Sequence, residues 1–320
     1  MFRLKHLLLA FALAASPAVK AQNYPDKPIH LVVPFTPAGS TTILARFVAD
    51  YLSSVYGQQV LVENKPGAAG HVGAEFVARA PADGYTFLLG TIGIHAASAL
   101  YPKLAYDPAK DLQPVIILVE LPLVLVVHPS SPVKSVQEFI AMAKAKPGEI
   151  NFSSAGSGSS THLTGELFKL MTGTVLTHIP YKGSAPAMQD VMGNQVQAMF
   201  EQLPTTLPQI QGGRLKALGV TSKERAPQLP NVPTIAESGV PGYESTGWFT
   251  IAASAKVPAA IVQKLNTDLN AMLKAPEYRA KLGDLGMTVV GGTTEAAAKY
   301  YASETEKWTR VIRAANLKVD

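Results

Sequence analysis

Residues 29–46 read IHLVVPFTPAGSTTILAR and predict a short apolar strand, a turn rich in Pro and Gly, and the start of a helix. The N-terminus of a helix leaves backbone N–H groups without internal acceptors and carries a partial positive charge. A strand that leads into such a terminus can therefore bind an anion through backbone groups alone. The alternative is purely structural, because Gly39 can shape the turn and Ser40 or Thr41 can cap the helix in any α/β protein.

A second segment of the same kind lies halfway along the chain. Residues 151–162 read NFSSAGSGSSTH, which is again a strand followed by Gly and hydroxyl residues that begin a helix. Two such helix starts, one in each half of the chain, would face each other across a cleft and present N–H donors to an anion from both sides. The alternative is two flexible turns with ordinary caps. The matching positions in the two halves favour the anion site.

The surrounding pattern predicts an α/β fold with two lobes. Strands and helices alternate with short connections, as is typical of a parallel sheet covered by helices. The chain crosses between the two halves near residues 122–126 and again near 245–251, and two crossings form a hinge with the ligand in the cleft. We expect lobe 1 to comprise residues 22–123 and 250–320, and lobe 2 to comprise residues 124–249.

The first 21 residues have the features of a signal peptide. Arg3 and Lys5 precede an apolar run at residues 7–15, and small residues offer a cleavage site after Ala21. The apolar run is too short to span a bilayer. We therefore expect the chain to be exported and residues 1–21 to lie outside the fold.

The charge balance gives no support for a nucleic-acid partner. The 320 residues hold 28 Lys and Arg against 23 Asp and Glu, and removal of residues 1–21 leaves 25 against 23. A near-neutral chain lacks the basic surface that nucleic acids require.

The chain has no Cys, so disulfides, thiol catalysis and Cys-ligated zinc are excluded. Its seven His residues show no metal-binding spacing, and we expect neither a metal nor a cofactor. The sequence also lacks the G-x-S-x-G motif, so Ser157 and Ser159 do not lie on a nucleophile elbow of the usual form.

Four more residues are expected at the edge of the cleft. Lys182 follows a strand and could attract a carboxylate, or it could be a solvated turn lysine. Glu201 ends a strand at the same edge, and His95 lies just past the third strand. Trp248 lies on the return crossing, where it could form a wall of the site or pack against the hinge.

Eight short segments carry a resemblance to a known family. They are YPDKPI (24–29), VVPF (32–35), VENKPGA (62–68), DGYT (83–86), GSGS (156–159), PYKG (180–183), MF (199–200) and VPT (232–234). In this order and spacing they resemble the Bug family of periplasmic solute-binding proteins, which are the receptors of tripartite tricarboxylate transporters. The resemblance covers essentially the whole chain after the signal peptide.

This resemblance implies a periplasmic-binding-protein fold of type II, located in the periplasm, that closes on a small carboxylate and delivers it to the permease subunits of a transporter. It implies a receptor rather than an enzyme, and we expect a monomer. In the family, backbone and hydroxyl groups hold the carboxylate, partly through ordered water. The residues that we expect to bind the ligand are Phe35, Thr36, Ala38, Gly39, Ser40, Thr41, Thr42, Thr91, His95, Ser154, Ser157, Gly158, Ser159, Thr161, Lys182, Gly183, Glu201 and Trp248.

The chain departs from the family in two places, the first loop and position 201. The first loop of the family usually reads Pro-Gly-Gly with Asp three residues later, whereas here Ala38 replaces the first Gly and Thr42 stands at the Asp position. The family usually has Asp where Glu201 stands. Loss of an acid removes a partner for a ligand ammonium group. We therefore expect a dicarboxylate, aliphatic or aromatic, rather than an amino acid. Terephthalate is one candidate, and Thr42→Asp is expected to weaken binding of a dianion.

Two other functions remain open. The same fold could report its ligand to a membrane sensor instead of supplying a permease. An exported serine hydrolase is a weaker alternative that rests only on the many serines of the Gly-Ser segment, since no base is identifiable beside them.

Overall fold

The computed structural model describes residues 24–96, 98–101 and 103–318, so the expected signal peptide lies outside the described residues. The strands are β1 (Ile29–Val33), β2 (Val60–Asn64), β3 (Thr86–Thr91), β4 (Leu112–Val127), β5 (Asn151–Ser154), β6 (Thr177–Pro180), β7 (Ala198–Gln202), β8 (Lys216–Val220), β9 (Thr246–Ser254) and β10 (Thr288–Val289). The helices are α1 (Ser40–Tyr56), α2 (His71–Ala78), α3 (Ile92–His95), α4 (Pro108–Asp111), α5 (Val136–Ala145), α6 (Ser160–Thr172), α7 (Ser184–Met192), α8 (Leu203–Gln211), α9 (Ala259–Lys274), α10 (Pro276–Asp284) and α11 (Thr294–Ala314).

The strands form two α/β lobes that share β4. In lobe 1, β2, β1 and β3 are parallel, and β9 is antiparallel between β3 and β4. In lobe 2, β5 is parallel to β6 and β7, while β4 is antiparallel to β7 and β8. The predicted two-lobed α/β fold is confirmed, and the parallel strands of each lobe direct their carboxyl ends toward the cleft.

The chain passes between the lobes at two adjacent points. The first part of β4 pairs with β9 as far as Pro122, and its second part pairs with β7 from Leu123 onward. Thr221 joins the two passages, because its hydroxyl donates to the Ser245 carbonyl at 2.6 Å and accepts from the Leu123 N–H at 2.8 Å. The division at residues 123/124 and 249/250 stays a prediction. The pairing of β4 changes from β9 to β7 between Pro122 and Leu123, and β9 begins at Thr246.

Each lobe has its own hydrophobic core. In lobe 1, the apolar stripe of α1, with Leu44, Val48 and Leu52, packs in one buried cluster with β1, β3 and α9. Burial of each such side chain contributes about 1.5–3 kcal/mol. In lobe 2, Phe139, Phe152 and Phe168 lie in a corresponding cluster. Cores of this size hold the fold without disulfides.

None of the helices in the described part of the chain is both long enough and apolar enough to cross a membrane.

Candidate functional site

Five helix starts meet at the cleft. Helices α3 and α8 follow directly on the end of a strand, and a short loop joins the strand to the helix before α1, α6 and α7. Lobe 1 supplies the starts of α1 and α3, and lobe 2 supplies those of α6, α7 and α8. Their N-cap residues are Gly39, Thr91, Ser159, Gly183 and Gln202. The two loops expected from the sequence to face each other, those before α1 and α6, are therefore part of a larger convergence of N-termini.

The convergence surrounds an inner cavity of about 20 Å³. That volume accommodates one or two atoms of the size of a water oxygen, about the bulk of the two oxygens of a carboxylate. The cavity is lined by Phe35, Gly39, Ser40, Thr41, Thr91, Ala155, Ser159, Ser160, Thr161, Ser184, Gln202 and Phe249. Every lining side chain is uncharged, so a charge placed here interacts with the dipoles of hydroxyl groups, backbone N–H groups and helix ends.

The helix ends around the inner cavity are free to donate. Helices α1, α7 and α8 have no side-chain cap, and none of these three or α6 has an acidic residue in its first turn. The Thr42 N–H donates to the Gly39 carbonyl at 2.9 Å and the His162 N–H donates to Ser159 Oγ at 3.4 Å, while Pro186 and Pro204 have no N–H. The other N–H groups of these first turns precede the intrahelical hydrogen bonds, and the positive ends of the helix dipoles remain uncompensated. Such ends bind anions.

Hydroxyls at the cleft also lack partners. Ser40 Oγ and Thr91 Oγ1, at the inner cavity, and Thr36 Oγ1, at its outer side, are buried without a hydrogen bond. An unsatisfied buried hydroxyl costs about 1–3 kcal/mol, so a concentration of three at one place indicates a bound polar group.

The loop of lobe 2 is held in shape by its own side chains. The N–H groups of Ala155, Gly156 and Gly158 donate to Thr161 Oγ1 at 2.8 Å, Ser154 Oγ at 3.1 Å and His162 Nδ1 at 2.9 Å. These three amides are therefore not available to a ligand. The N–H groups at the start of α6 remain as donors, except that of His162, which donates to Ser159 Oγ.

Ser154 and His178 form a close hydroxyl–imidazole pair, with Oγ and Nε2 2.6 Å apart. Burial lowers the pKa of His178 to about 3, which keeps the ring neutral. Ser154 is fully buried and lines neither the inner cavity nor the larger pocket outside it. A substrate therefore has no access to this serine, and the pair supports the loop.

Glu201 lies behind the inner cavity, between residues that line it. Its Oε1 accepts from Thr205 at 2.9 Å, and its Oε2 has no partner. Burial raises the pKa of Glu201 to about 7, although the Ser184 hydroxyl, the Thr205 hydroxyl and the Gln202 N–H all favour the charged form.

A larger outer pocket of about 1130 Å³ adjoins the inner cavity, and Phe35 and Ala155 line both. Its remaining walls are Thr36, Gly67, Ala68, Ala69, Gly70, Leu100, Tyr101, Lys103, Leu104, Gly156, Ser157, Pro180, Tyr181, Lys182 and Pro186. Most of the lining is apolar, and both of the charged side chains are lysines.

The lobes touch each other around these pockets. The Tyr101 hydroxyl of lobe 1 donates to the Ser157 carbonyl of lobe 2. A Cβ on Gly93 would lie 2.9 Å from the Gly158 carbonyl oxygen, and one on Gly156 would lie 3.5 Å from Ala69 Cα. This geometry is that of a closed cleft.

The structure brings ten of the expected residues to the two pockets. Phe35, Gly39, Ser40, Thr41, Thr91, Ser159 and Thr161 line the inner cavity, and Thr36, Ser157 and Lys182 line the outer pocket. The eight outside both are Ala38, Thr42, His95, Ser154, Gly158, Gly183, Glu201 and Trp248.

Three of those eight make hydrogen bonds or ring contacts with residues that line neither pocket. Thr42 Oγ1 accepts from Asn64 Nδ2 at 3.3 Å. The His95 ring is stacked on Tyr301 with 4.3 Å between ring centroids, and burial lowers its pKa to about 3. Trp248 is fully buried, and its Nε1 donates to a carboxylate on α11 at 2.9 Å.

Ala38, Gly158 and Gly183 shape the backbone at the cleft. Ala38 has φ 70° and Gly158 has φ 86°, so both are left-handed, whereas Gly183 approaches the opposite lobe. For Ala38 the left-handed conformation costs about 1–2 kcal/mol.

Sequence reasoning missed five residues of the inner cavity, namely Ala155, Ser160, Ser184, Gln202 and Phe249. Phe249 lies opposite Thr91 in the β3–β9 ladder, on the same face of the sheet. The sequence signal for Ser184 was its position directly after Gly183, at the start of a helix. Among the described residues, no cluster of His, Asp and Glu is suited to holding a metal.

Comparison with known proteins agrees with this geometry. A family model described as "Tripartite tricarboxylate transporter family receptor" matches residues 44–317. Protein BugT of Bordetella pertussis is 38% identical over 315 residues, which are 98% of this chain and 96% of BugT.

Two solved structures are similar over nearly their whole length. R. palustris Rpa4515 with adipate is 41% identical with a TM-score of 0.90, covering 92% of this chain and 99% of that one. MatC (Rpa3494) from Rhodopseudomonas palustris with bound malate is 33% identical with a TM-score of 0.86, covering 90% of this chain and 100% of that one. The family resemblance seen in the sequence is confirmed.

Proposed function

The chain belongs to the tripartite tricarboxylate transporter receptor family, and from this premise we propose that it captures a small dicarboxylate in the periplasm by cleft closure and delivers it to the permease subunits of such a transporter. Members of this family are solute-binding receptors. We also propose that the receptor is a monomer and that its signal peptide is cleaved after Ala21.

One observation carries the assignment of an anion. Helix starts from both lobes surround a cavity of about 20 Å³, and the buried Ser40 and Thr91 hydroxyls there have no partner. A carboxylate placed between the helix starts of the two lobes accepts hydrogen bonds from both lobes and interacts favourably with the helix dipoles. The donors of the two lobes reach one carboxylate together only when the lobes are closed, so the anion stabilises closure.

Two further observations favour a dicarboxylate over an amino acid. Neither pocket is lined by an Asp or Glu among the residues that the structure describes, so a ligand ammonium group would have no counter-ion. The two similar structures hold adipate and malate, which are both dicarboxylates. The mostly apolar outer pocket also suits an aromatic diacid, of which terephthalate is a candidate.

The experiment is a thermal-shift screen of small acids followed by calorimetry on the hits. A dicarboxylate at 100 times its Kd should add about 2.7 kcal/mol to the free energy of unfolding. Strong stabilisation by aspartate or glutamate with none by dicarboxylates would contradict the proposal. Delivery is tested by deleting the gene and measuring uptake of the labelled ligand, which we expect to stop. Normal uptake would favour a sensor function instead.

A further inference from the structure

The outer pocket contains two lysines that come from opposite lobes. Lys103 precedes α4 in lobe 1, and Lys182 follows β6 in lobe 2. Within the described ranges, neither makes an ion pair or a side-chain hydrogen bond, and the pocket that they line contains no acid. Two uncompensated cations at one pocket attract anions.

The inner cavity is too small for a whole ligand. Its volume of about 20 Å³ admits the end of a molecule, whereas the outer pocket has about 1130 Å³. Phe35 and Ala155 line both, so the two spaces are adjacent. A molecule with one end in the inner cavity must therefore place its body in the outer pocket.

The walls around that body offer contact surface and few hydrogen bonds. Leu104 from lobe 1 and Pro186 from lobe 2 have no side-chain polar atoms. The hydroxyls of the two wall tyrosines are already engaged, since Tyr101 donates to the Ser157 carbonyl and Tyr181 donates to Asp190. The hydroxyls of Thr36 and Ser157 also lie at this pocket, so its walls are mostly rather than wholly apolar. The two lysines are the charged partners that the described lining offers to the far end of the ligand.

We infer that the ligand is a dianion with an apolar middle, whose first carboxylate lies in the inner cavity and whose second is held between Lys103 and Lys182. The inference rests on the proposed function and specifies its substrate class. Because the lysines belong to opposite lobes, the second carboxylate attracts both lobes and adds to the stability of the closed cleft.

The experiment compares matched ligands that differ by one carboxylate. Adipate is measured against hexanoate and terephthalate against benzoate, by calorimetry at low ionic strength. The proteins are the wild type, Lys103→Met, Lys182→Met and the double variant, since Met keeps an apolar stem and removes the charge. Lys256→Met, at an exposed lysine that lines neither pocket, is the control.

For at least one pair, we expect the wild type to bind the diacid about tenfold more tightly than the monoacid, from two partly exposed ion pairs. The double variant should lose this preference while binding the monoacid as the wild type does, and added salt should reduce the preference in the wild type. Lys256→Met should behave as the wild type.

Equal binding of monoacid and diacid by the wild type would overturn the inference. So would a diacid preference that survives in the double variant. Both results leave the proposed function intact, because a carboxylate is still bound. Failure of every acid in the wider screen to bind the wild type would instead refute the proposed function itself.

Discussion

Gly183 of lobe 2 lies against Thr36 of lobe 1 with no room for a side chain between them. A Cβ on Gly183 would lie 3.1 Å from the Thr36 backbone nitrogen and would overlap the Thr36 hydroxyl. Gly183 has φ 162°, which is extended backbone that alanine adopts without strain. The contact therefore restricts residue 183 only when the lobes are together.

Gly183→Ala is expected to impede closure and leave each lobe folded. Because affinity falls with the fraction of protein that can close, the Kd for the best ligand of the screen should rise about tenfold. Calorimetry and the change in radius of gyration on ligand addition measure this. Gly283→Ala is the control, since a Cβ there meets no atom within 4 Å. Wild-type affinity in Gly183→Ala would show that the cleft binds ligand without this contact.

Ala38→Gly is expected to stabilise the protein. Ala38 has φ 70°, a left-handed conformation that glycine adopts at little cost. In urea unfolding, the free energy of unfolding of the variant should exceed that of the wild type by up to about 1 kcal/mol. Ala298→Gly, at an exposed site within α11, should instead lose about 1 kcal/mol. A loss of stability in Ala38→Gly would mean that its methyl group makes a contact outweighing the strain.

Glu201→Gln is expected to change how stability depends on pH. Burial raises the pKa of Glu201 from 4.5 to about 7, so between these values the folded state binds more protons than the unfolded state. The contribution of this group to stability therefore falls as pH rises from 4.5 to 7, by up to about 3 kcal/mol. At pH 8 the Gln variant should be more stable than the wild type by that amount, and near pH 4 the two should be similar.

Glu237→Gln provides the contrast in the same urea titrations. The Thr234 N–H and the Arg225 guanidinium lower the pKa of this exposed carboxyl, so its contribution is present above its usual pKa and is lost as pH falls. The variant should show no gain at pH 8. Parallel profiles for the wild type and Glu201→Gln would instead show that folding leaves the pKa of Glu201 unchanged.

Trp248→Phe is expected to reduce stability and preserve affinity. The indole N–H donates to Glu304 Oε2 at 2.9 Å, and its loss leaves this partly buried carboxylate with the Trp308 N–H as its remaining indole donor, at a cost of about 1 kcal/mol. Phe249→Leu should instead weaken binding and raise the Kd several-fold, because Phe249 lines the inner cavity. If Trp248→Phe reduced affinity more than Phe249→Leu, Trp248 would be the aromatic residue of the binding site, as expected from the sequence.

Trp248 and Phe249 also show where sequence reasoning stops. Adjacent residues of a strand face opposite sides of the sheet, and which one faces the cleft is set by strand register, a tertiary property. The pairing of Phe249 with Thr91 fixes that register here. The sequence could place a bulky aromatic at the crossing but could not choose between the two.

The parts predicted well are those with a local cause. Gly39, Ser40 and Ser159 were identified because a strand, a turn and a helix start are readable from residue type and spacing, and all three line the inner cavity. His95 was expected at the cleft from its position after β3, yet its ring is stacked on Tyr301, some 200 residues further along the chain. Such long-range packing leaves no local signature.

The central claim is that unpartnered hydroxyls at the helix starts bind the ligand, and Thr91→Val tests it against Thr42→Val. Thr91 Oγ1 has no partner and lines the inner cavity, whereas Thr42 Oγ1 accepts from Asn64 and lines neither pocket. Both substitutions conserve shape and remove one hydroxyl. In the ligand-free protein, Thr91→Val should be at least as stable as the wild type, and Thr42→Val should lose about 1 kcal/mol.

The deciding measurement is the Kd of the best dicarboxylate for these two variants, by calorimetry. We predict about tenfold weaker binding to Thr91→Val, from a lost hydrogen bond to a charged group, and wild-type affinity for Thr42→Val. Wild-type affinity in Thr91→Val would contradict the account, because the inner cavity would then not be where the carboxylate binds.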